Sequence, residues 1–218
     1  MGILVDAMHK GGPFMYALLG CAVFALAIAA ERMYYILFRA NINGTAFFAQ
    51  VQKLIMANNI DRAIKLCNAE PNAALPRVLK AGLTRANRGE VEIQNAVDEA
   101  VLEVFPQLSK RTSYLAMLAN VATLTGLLGT IQGLIQAFDA VAHASAETKQ
   151  TLLASGISVA MYTTMSGLIV AIPTLVISSI IVGRTTKIMD EVDQYSLKTV
   201  NLLAARRRGN LESGAAEA

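Results

Sequence analysis

Three long apolar runs constrain this chain more than any other feature of its sequence. The first covers 13–30 and continues past Glu31-Arg32 through MYYILF, whereas the runs at 114–138 and 157–182 contain no charged residue. A helix needs about 20 apolar residues to cross a hydrocarbon core of about 30 Å. The runs therefore predict three transmembrane helices, and a charged fraction of only 16% agrees with a membrane protein better than with a soluble domain.

A cleaved signal peptide is the alternative for the first run, because ALAIAA offers small-residue cleavage patterns after an apolar stretch. Asp6 weakens the positive start that a signal peptide requires, and the apolar run is long for a signal. Two further spans follow in any case. We therefore interpret the first run as a transmembrane helix.

The lysine and arginine residues near the span ends predict the orientation of the chain. Positive residues stay preferentially on the cytoplasmic side, and only Lys10 and Lys149 fall on the other side. The prediction is an outer, periplasmic N-terminal segment at 1–12, which could form a short surface helix, transmembrane helices at 13–38, 114–138 and 156–183, a cytoplasmic helical insert at 39–113, an outer loop at 139–155, and a cytoplasmic C-terminal helix with a basic tail at 184–218.

The inner segments have the apolar spacing of helices. Ile60, Ala63, Ile64 and Cys67 share one face of a short helix, for which Asn59 or Asp61 is a plausible N-cap. From Glu90, apolar residues recur at spacings of three and four, which predicts one long helix that runs directly into the second span, with a kink at Pro106. The face of that helix consists of Ile93, Val97, Ala100, Val101, Val104 and Leu108.

Beyond Arg184, apolar residues repeat in a heptad-like pattern. A seam of this kind packs one helix against another, and we expect it to contribute to self-association. Its members are Ile188, Val192, Tyr195, Thr199 and Leu202.

No catalytic, cofactor or metal site is predicted. The acidic residues between Glu90 and Glu103 decorate a polar helix face without a nucleophile or histidine beside them. His9 and His143 are isolated, and no phosphate-binding glycine loop is present. Cys21 and Cys67 are too far apart in the predicted topology to form a disulfide. An enzyme is therefore not expected.

The second and third spans each carry a stripe of small and hydroxylated residues. Small side chains let membrane helices approach closely, so the stripes could simply pack the two spans of one subunit together. The alternative is an uncharged lining that holds water or passes a proton, because hydroxyl groups are polar without being charged. The stripes are Ala116, Ala119, Thr123, Gly126, Thr130, Gly133 and Ala137 in the second span, and Gly156, Ala160, Thr164, Gly167, Ala171, Thr174 and Ser178 in the third.

Two further observations bear on such a lining. Pro173 leaves the carbonyl of Ile169 without its usual helical donor and is expected to bend or hydrate the third span. No acidic residue lies at mid-depth in any span, since Glu31 and Asp139 fall at span ends. A proton path usually includes an ionisable group within the membrane. If ions cross, a partner must supply the carboxylate.

The segments ANVATLTGLLGTIQGLIQAF and GISVAMYTTMSGLIVAIP resemble the paired signature of the MotA/TolQ/ExbB proton-channel family, most closely its ExbB and TolQ branch. The resemblance implies an all-α, multi-pass protein of the bacterial inner membrane that forms a ring-shaped homo-oligomer. In the family, five subunits surround the helices of two single-span ExbD/TolR-like proteins, each with a membrane aspartate. No cofactor is implied.

The resemblance also implies where that aspartate titrates. The threonine of the LLGT motif is Thr130, and the threonine before GLIVAIP is Thr164. We expect these two residues to lie beside the partner's carboxyl group, with further lining from Thr123, Gly126, Gly133, Ala160, Gly167 and Ala171 and a helix kink at Pro173. The expected function is conversion of proton flow into mechanical work on the cell envelope, by TonB/Tol-type energy transduction or gliding-type motility.

Two positions depart from the family pattern. Ala122-Thr123 stands where the branch commonly has Ala-Pro, so a weaker kink is expected there, and Val159 stands where it commonly has glutamate. The second departure increases the dependence on a partner's carboxylate. The same absence of membrane acids favours the alternative function, a non-conducting oligomeric scaffold that only holds a partner helix.

Overall fold

The computed structural model describes residues 12–40 and 42–216, with side chains for all of these except 38–39 and 209–216. The described residues are almost entirely helical, and none of them forms a strand. This confirms the predicted all-α class. The helices are α1 (Pro13–Tyr34), continued by a π-helical stretch (Tyr35–Ala40), α2 (Gly44–Met56), α3 (Ile60–Ala69), α4 (Ala74–Thr84), α5 (Glu90–Ser109), α6 (Thr112–Ala142) and α7 (Ala146–Ala216).

Three helical stretches are long and apolar enough to cross a bilayer. They are Pro13–Leu37, Glu90–Ala142 and Ala146–Arg208, and each contains one of the apolar runs. The membrane-protein class predicted from these runs is therefore confirmed by the length and composition of the helices. The depth of each span stays a prediction, and the predicted N-terminal surface helix falls on 1–12, of which 1–11 lie outside the described residues.

The chain divides into two compact units. The apolar unit comprises the chain up to Arg32 together with Arg111–Ile180, and so contains α1, α6 and the first half of α7. The amphipathic unit comprises Met33–Lys110 and the chain from Ile181 onward. It contains the π-helical stretch, α2 to α5 and the second half of α7.

The core of the apolar unit consists mainly of small side chains. Met15 and Leu18 of α1 pack against Ala119 and Ala122 of α6 and Ala171 of α7. Large apolar side chains of the same helices are instead exposed, for example Leu19, Val23, Phe24, Leu124 and Ile135. Exposed large side chains around a small-residue core are typical of helices that pack against each other in lipid.

The core of the amphipathic unit consists mainly of large aliphatic side chains. The predicted faces are confirmed there: Ala63 and Cys67 of α3 are buried, as are Ile93, Val97, Val104 and Leu108 of α5, while Ala100 and Val101 are half-buried. Asn59 precedes α3 as its N-cap residue, but its side chain makes no capping hydrogen bond. Pro76 lies in the first turn of α4, where the missing backbone N–H costs little.

The long helix predicted from Glu90 into the second span is interrupted, and this prediction was wrong. Pro106 lies within α5, which continues to Ser109, and the helix ends four residues after the proline. The break is at Lys110-Arg111, where Arg111 has a φ of 61°. Its guanidinium binds both carboxylate oxygens of Glu31 at 2.7 and 2.8 Å, a tertiary contact that accompanies the unfavourable left-handed backbone.

The predicted outer loop at 139–155 is mostly helical. Helix α6 continues to Ala142 and α7 begins at Ala146, so only 143–145 connect them. The helices extend beyond the apolar runs because no proline or glycine interrupts the polar residues that follow Phe138 or precede Gly156. Whether this connection is on the outer side stays a prediction.

The heptad-like seam is buried within the chain, which gives it a different partner from the one expected. Tyr195 shares a hydrogen bond of 2.8 Å between its hydroxyl and that of Thr45, and its ring stacks on Phe48 at 4.8 Å between centroids. At Gly44 an added Cβ would lie 2.7 Å from a Glu191 carboxylate oxygen, so α2 needs glycine at this approach. Seam residues up to Thr199 are therefore occupied by α2 and its neighbours in the same unit.

Candidate functional site

Glycine residues bring α6 and α7 into close contact in the apolar unit. A Cβ added to Gly167 would lie 2.8 Å from the Ala122 carbonyl oxygen and 3.1 Å from the Gly126 Cα. At Gly133 the nearest atom to an added Cβ would be the Ala160 backbone nitrogen, at 3.2 Å. The stripes thus pack the two helices of one chain together, which is the first of the two roles considered for them.

Thr130 and Thr164 lie side by side at the edge of this contact. Both line one shallow depression of about 460 Å³ on the surface of the apolar unit, and both are only half-buried. Ala160 lies in its wall, and the remaining lining is apolar: Leu134, Ile157, Met161, Met165 and Leu168. The two threonines identified from the motifs are therefore the only hydroxyl groups of a largely apolar surface groove, which we call the threonine groove.

The hydrogen bonding of Thr130 determines what the groove can offer a ligand. The Thr130 hydroxyl donates to the Leu127 carbonyl at 2.6 Å. A hydroxyl group has one proton and two acceptor lone pairs, so this bond uses the proton and leaves the acceptor capacity. Thr130 is therefore suited to accept a hydrogen bond from a ligand rather than to donate one.

Several other hydroxyl groups of the stripes are buried between helices. Thr163 is 1% exposed and donates to the Ala160 carbonyl at 2.8 Å, and Thr174 donates to the Val170 carbonyl at 2.7 Å. Ser166 and Ser178 are also buried. These groups serve helix packing. Of the hydroxyls considered as a lining, only those of Thr123, Thr130 and Thr164 reach the surface to any extent.

The remaining predicted site residues are divided between the contact and the surface. Gly126 and Gly167 are buried against each other, and Ala171 is buried in the core cluster. Thr123 is exposed and donates to the Ala119 carbonyl at 3.1 Å. Pro173 is exposed within an uninterrupted α7. A lining role for these residues stays a prediction.

Apolar residues of the groove were missed because the search followed small and hydroxylated residues. Met161 and Met165 form part of its wall and also line a neighbouring depression of about 600 Å³ with Ser158 and Tyr162. Their only sequence signal is a spacing of four, which places both on one face of α7. Methionine is flexible and polarisable and adapts to irregular surfaces.

The groove contains no charged side chain. The nearest acids along the helices are Asp139, which is exposed beyond the apolar run of α6, and Glu31, which is paired with Arg111 at 2.7 Å. Among the described residues, no group of three or more histidine, cysteine or acidic side chains could hold a metal ion. The groove can therefore accept hydrogen bonds and pack against apolar groups, but it cannot itself take up and release a proton at neutral pH.

Comparison with known proteins places the chain. Residues 70–194 match the MotA/TolQ/ExbB proton channel family. The chain is 30% identical over 173 residues to the putative biopolymer transport protein ExbB-like 3 of Synechocystis sp., which covers 78% of this chain and 80% of that protein.

Two further relatives match more of the chain at lower identity. ExbB-like 1 of Synechocystis sp. is 28% identical over 86% of this chain and 74% of its own length. The biopolymer transport protein exbB1 of Vibrio cholerae is 25% identical over 93% of this chain and 89% of its own length. With three helices able to span a bilayer, these matches support a membrane protein that acts in proton-channel or biopolymer-transport energy transduction. The chain therefore belongs to the MotA/TolQ/ExbB proton channel family, in its ExbB branch.

Proposed function

We propose that this chain is a subunit of a proton-driven motor in the bacterial inner membrane, where it surrounds an ExbD/TolR-like single-span partner and converts proton flow into work on the cell envelope. The observation that carries the proposal is the threonine groove, in which Thr130 and Thr164 lie together on an apolar surface. The subunits form a ring, of five copies in the family pattern, around two partner helices. The segment before Pro13 is periplasmic and the C-terminal helix is cytoplasmic.

The chemistry of the groove favours a protonated carboxyl group on the partner helix. A neutral carboxylic acid has an O–H that can donate to Thr130, whose own proton is used by the Leu127 carbonyl. An ionised carboxylate in an apolar depression lacks that bond and also loses hydration, so its pKa rises there. The partner's acid would take up a proton as it enters the groove and release it on leaving.

The energy available to such a cycle is adequate for mechanical work. Each elementary charge that moves through a potential of 100 mV releases about 2.3 kcal/mol. Two or three protons could therefore drive one conformational or rotational step. Because no acid lies at mid-depth in the spans of this chain, the flux depends on the partner's carboxyl group.

The experiment compares single threonine variants in proteoliposomes that contain the chain with its co-purified single-span partner. We expect Thr130→Val and Thr164→Val to reduce voltage-driven proton flux by about two- to tenfold each, the range that corresponds to the net value of one hydrogen bond. Thr125→Val is the matched control, because the Thr125 hydroxyl donates to the Val121 carbonyl at 2.7 Å and does not line the groove.

The outcomes separate the motor from the alternative, a scaffold that only holds the partner. A scaffold produces no flux with or without the partner. Undiminished flux in the Thr130→Val, Thr164→Val double variant would contradict the proposed roles of both residues. The scaffold is favoured by the absence of an acid within the spans, and a partner without a membrane carboxyl group would support it.

A further inference from the structure

All primary amide side chains within the three apolar runs are on α6. Asn120, Gln132 and Gln136 fall in this helix, whereas Pro13–Tyr34 and residues 157–182 contain neither asparagine nor glutamine. All three amides are exposed on the surface of the chain. One of the three spans therefore presents strongly polar groups on an otherwise apolar surface.

Gln132 and Gln136 belong to one continuous row on α6. Residues four apart lie one turn above each other on the same face of a helix. The row continues through Leu128 and Val121, which are also exposed. We call these four residues, Val121, Leu128, Gln132 and Gln136, the amide edge.

The amides of this edge need a partner outside the helix that carries them. Threonine can satisfy its proton with a carbonyl of its own helix, as Thr125 does with Val121. A primary amide has two N–H donors and an acceptor oxygen, and one such bond leaves most of them unsatisfied. Gln132 lies seven residues before Asp139, about 10 Å along the helix into the uncharged run. Polar groups at such a depth are disfavoured in contact with lipid and occur mostly against other protein groups.

Helix α1 provides the contrast. Its exposed side chains are hydrocarbon or aromatic, as in Leu19, Val23 and Phe24, and its run contains no amide. These are the side chains expected of a surface in contact with lipid. The difference assigns the exposed surface of α1 to lipid and the amide edge of α6 to protein.

The position of the amide edge on α6 separates it from the threonine groove. Thr130 and Gln132 are two residues apart, which is a rotation of about 200° around the helix axis. The two side chains therefore point to opposite sides of α6. A single partner helix in the groove cannot also cover Gln132.

From this geometry we infer that the amide edge is the interface with a second copy of this chain, with Gln132 and Gln136 donating and accepting hydrogen bonds across it. This rests on the proposed function, which assigns the opposite side of α6 to the partner helix. A glutamine carries donors and an acceptor together, so it can bond to backbone carbonyls, hydroxyls or amides of the neighbouring copy. The flanking Leu128 and Val121 supply the apolar contact.

Photocrosslinking of the full-length chain in its native membrane tests the contact directly. A photoreactive phenylalanine derivative such as p-benzoylphenylalanine replaces Gln132, and the same residue replaces Phe24 on α1 in a matched control. We expect illumination to join two copies of this chain through position 132 and to produce only lipid adducts at position 24. An adduct of position 132 with lipid alone, or with a different protein, would overturn the inference.

A second measurement uses the association equilibrium of the full chain in bilayers. Interhelical hydrogen bonds in membranes correspond on average to about a threefold change in an equilibrium constant, so Gln132→Leu, Gln136→Leu should weaken self-association by just under tenfold. Thr125→Val, whose hydroxyl is bonded within α6, should leave self-association unchanged. Undiminished association of the double variant would contradict the interface.

These results are independent of the proton-flux assay. Loss of flux in the threonine variants with intact copy-to-copy crosslinks would leave both proposals standing. Crosslinks without any partner-dependent flux would support the interface and count against the motor.

Discussion

Leu79 in the amphipathic unit and Leu124 in the apolar unit show how differently the two regions use the same side chain. Leu79 is fully buried at 0% exposure, whereas Leu124 is 63% exposed. Where α4 and α5 bury leucine, isoleucine and valine, the closest contact of α6 and α7 buries glycine and alanine. Water rewards the burial of large apolar groups, but lipid does not, so helices in lipid associate through close packing and hydrogen bonds. Stability should therefore depend on volume in one unit and on the absence of volume in the other.

The first way to break this comparison is to remove volume from the amphipathic unit. We expect Leu79→Ala to reduce the free energy of unfolding by about 2–5 kcal/mol, because it leaves a cavity in a close-packed core. Chemical denaturation of the purified protein, followed by far-UV circular dichroism, measures the change. Leu102→Ala is the control, since Leu102 of α5 is 73% exposed and should change stability by no more than about 0.5 kcal/mol.

A result in which the two leucine variants are equally stable would contradict the assignment of a water-driven core to this unit. The same substitution at Leu124 sharpens the test. In lipid, an exposed leucine has little to lose on truncation, so Leu124→Ala should resemble Leu102→Ala and not Leu79→Ala.

The second test adds volume to the apolar unit. We expect Gly167→Ala to reduce stability by about 1–3 kcal/mol, because the new Cβ would lie 2.8 Å from the Ala122 carbonyl oxygen and backbone atoms cannot move aside cheaply. Resistance to unfolding by denaturing detergent measures the change. Gly20→Ala in α1 is the matched control, because an added Cβ there meets nothing within 4 Å and alanine is the better helix former. Equal stability of the two alanine variants would remove the argument for close helix approach.

Local spacing predicted most of the fold because helix faces are set by residues close in sequence. The buried faces of α3 and α5 were found in this way, since a spacing of three and four places residues on one side whatever they contact. The two motif threonines were also found from sequence, and the structure brings Thr130 and Thr164 to one depression.

The errors involve contacts between distant residues. The sequence around Pro106 contains a known helix breaker, yet the break is at Arg111, whose partner Glu31 is 80 residues away. Pro106 is exposed, and the carbonyl four residues before it belongs to the exposed Leu102, where water can replace the lost donor. The seam through Tyr195 had the right periodicity, but periodicity does not say that Thr45 and Phe48 of the same chain cover it.

The wall of the threonine groove could not be predicted for a different reason. Met161 and Met165 are ordinary apolar residues of a transmembrane run, and nothing in their spacing separates a groove wall from a lipid-facing surface. Only the position of α7 against α6 makes that distinction. The glycines that set this position were visible in the sequence, but the atoms they approach were not.

The third prediction compares the two cysteines and has the smallest effect. Cys67 is 2% exposed in the amphipathic unit, and burial raises the pKa of its thiol from 9.0 to about 11, partly offset by the positive charge of Lys80. The unfolded chain therefore loses this proton at lower pH than the folded protein. The contribution is complete below about pH 9, and the free energy of unfolding falls as pH rises from 9 to 11, by at most about 1.4 kcal/mol per pH unit.

Comparison with Cys67→Ala isolates this contribution, because other groups that titrate above pH 9 remain in both proteins. The wild-type chain should lose stability more steeply than the variant between pH 9 and 11, and the two slopes should coincide below pH 9. Thiol alkylation at pH 8 gives a second measure, since only unfolding of the amphipathic unit exposes Cys67 to a reagent in water. The half-buried Cys21 of α1 is replaced by alanine in both proteins so that labelling reports one site. Rapid labelling of Cys67 in the folded protein would show that the amphipathic unit lacks the closed, water-excluding core on which the contrast with the apolar unit depends.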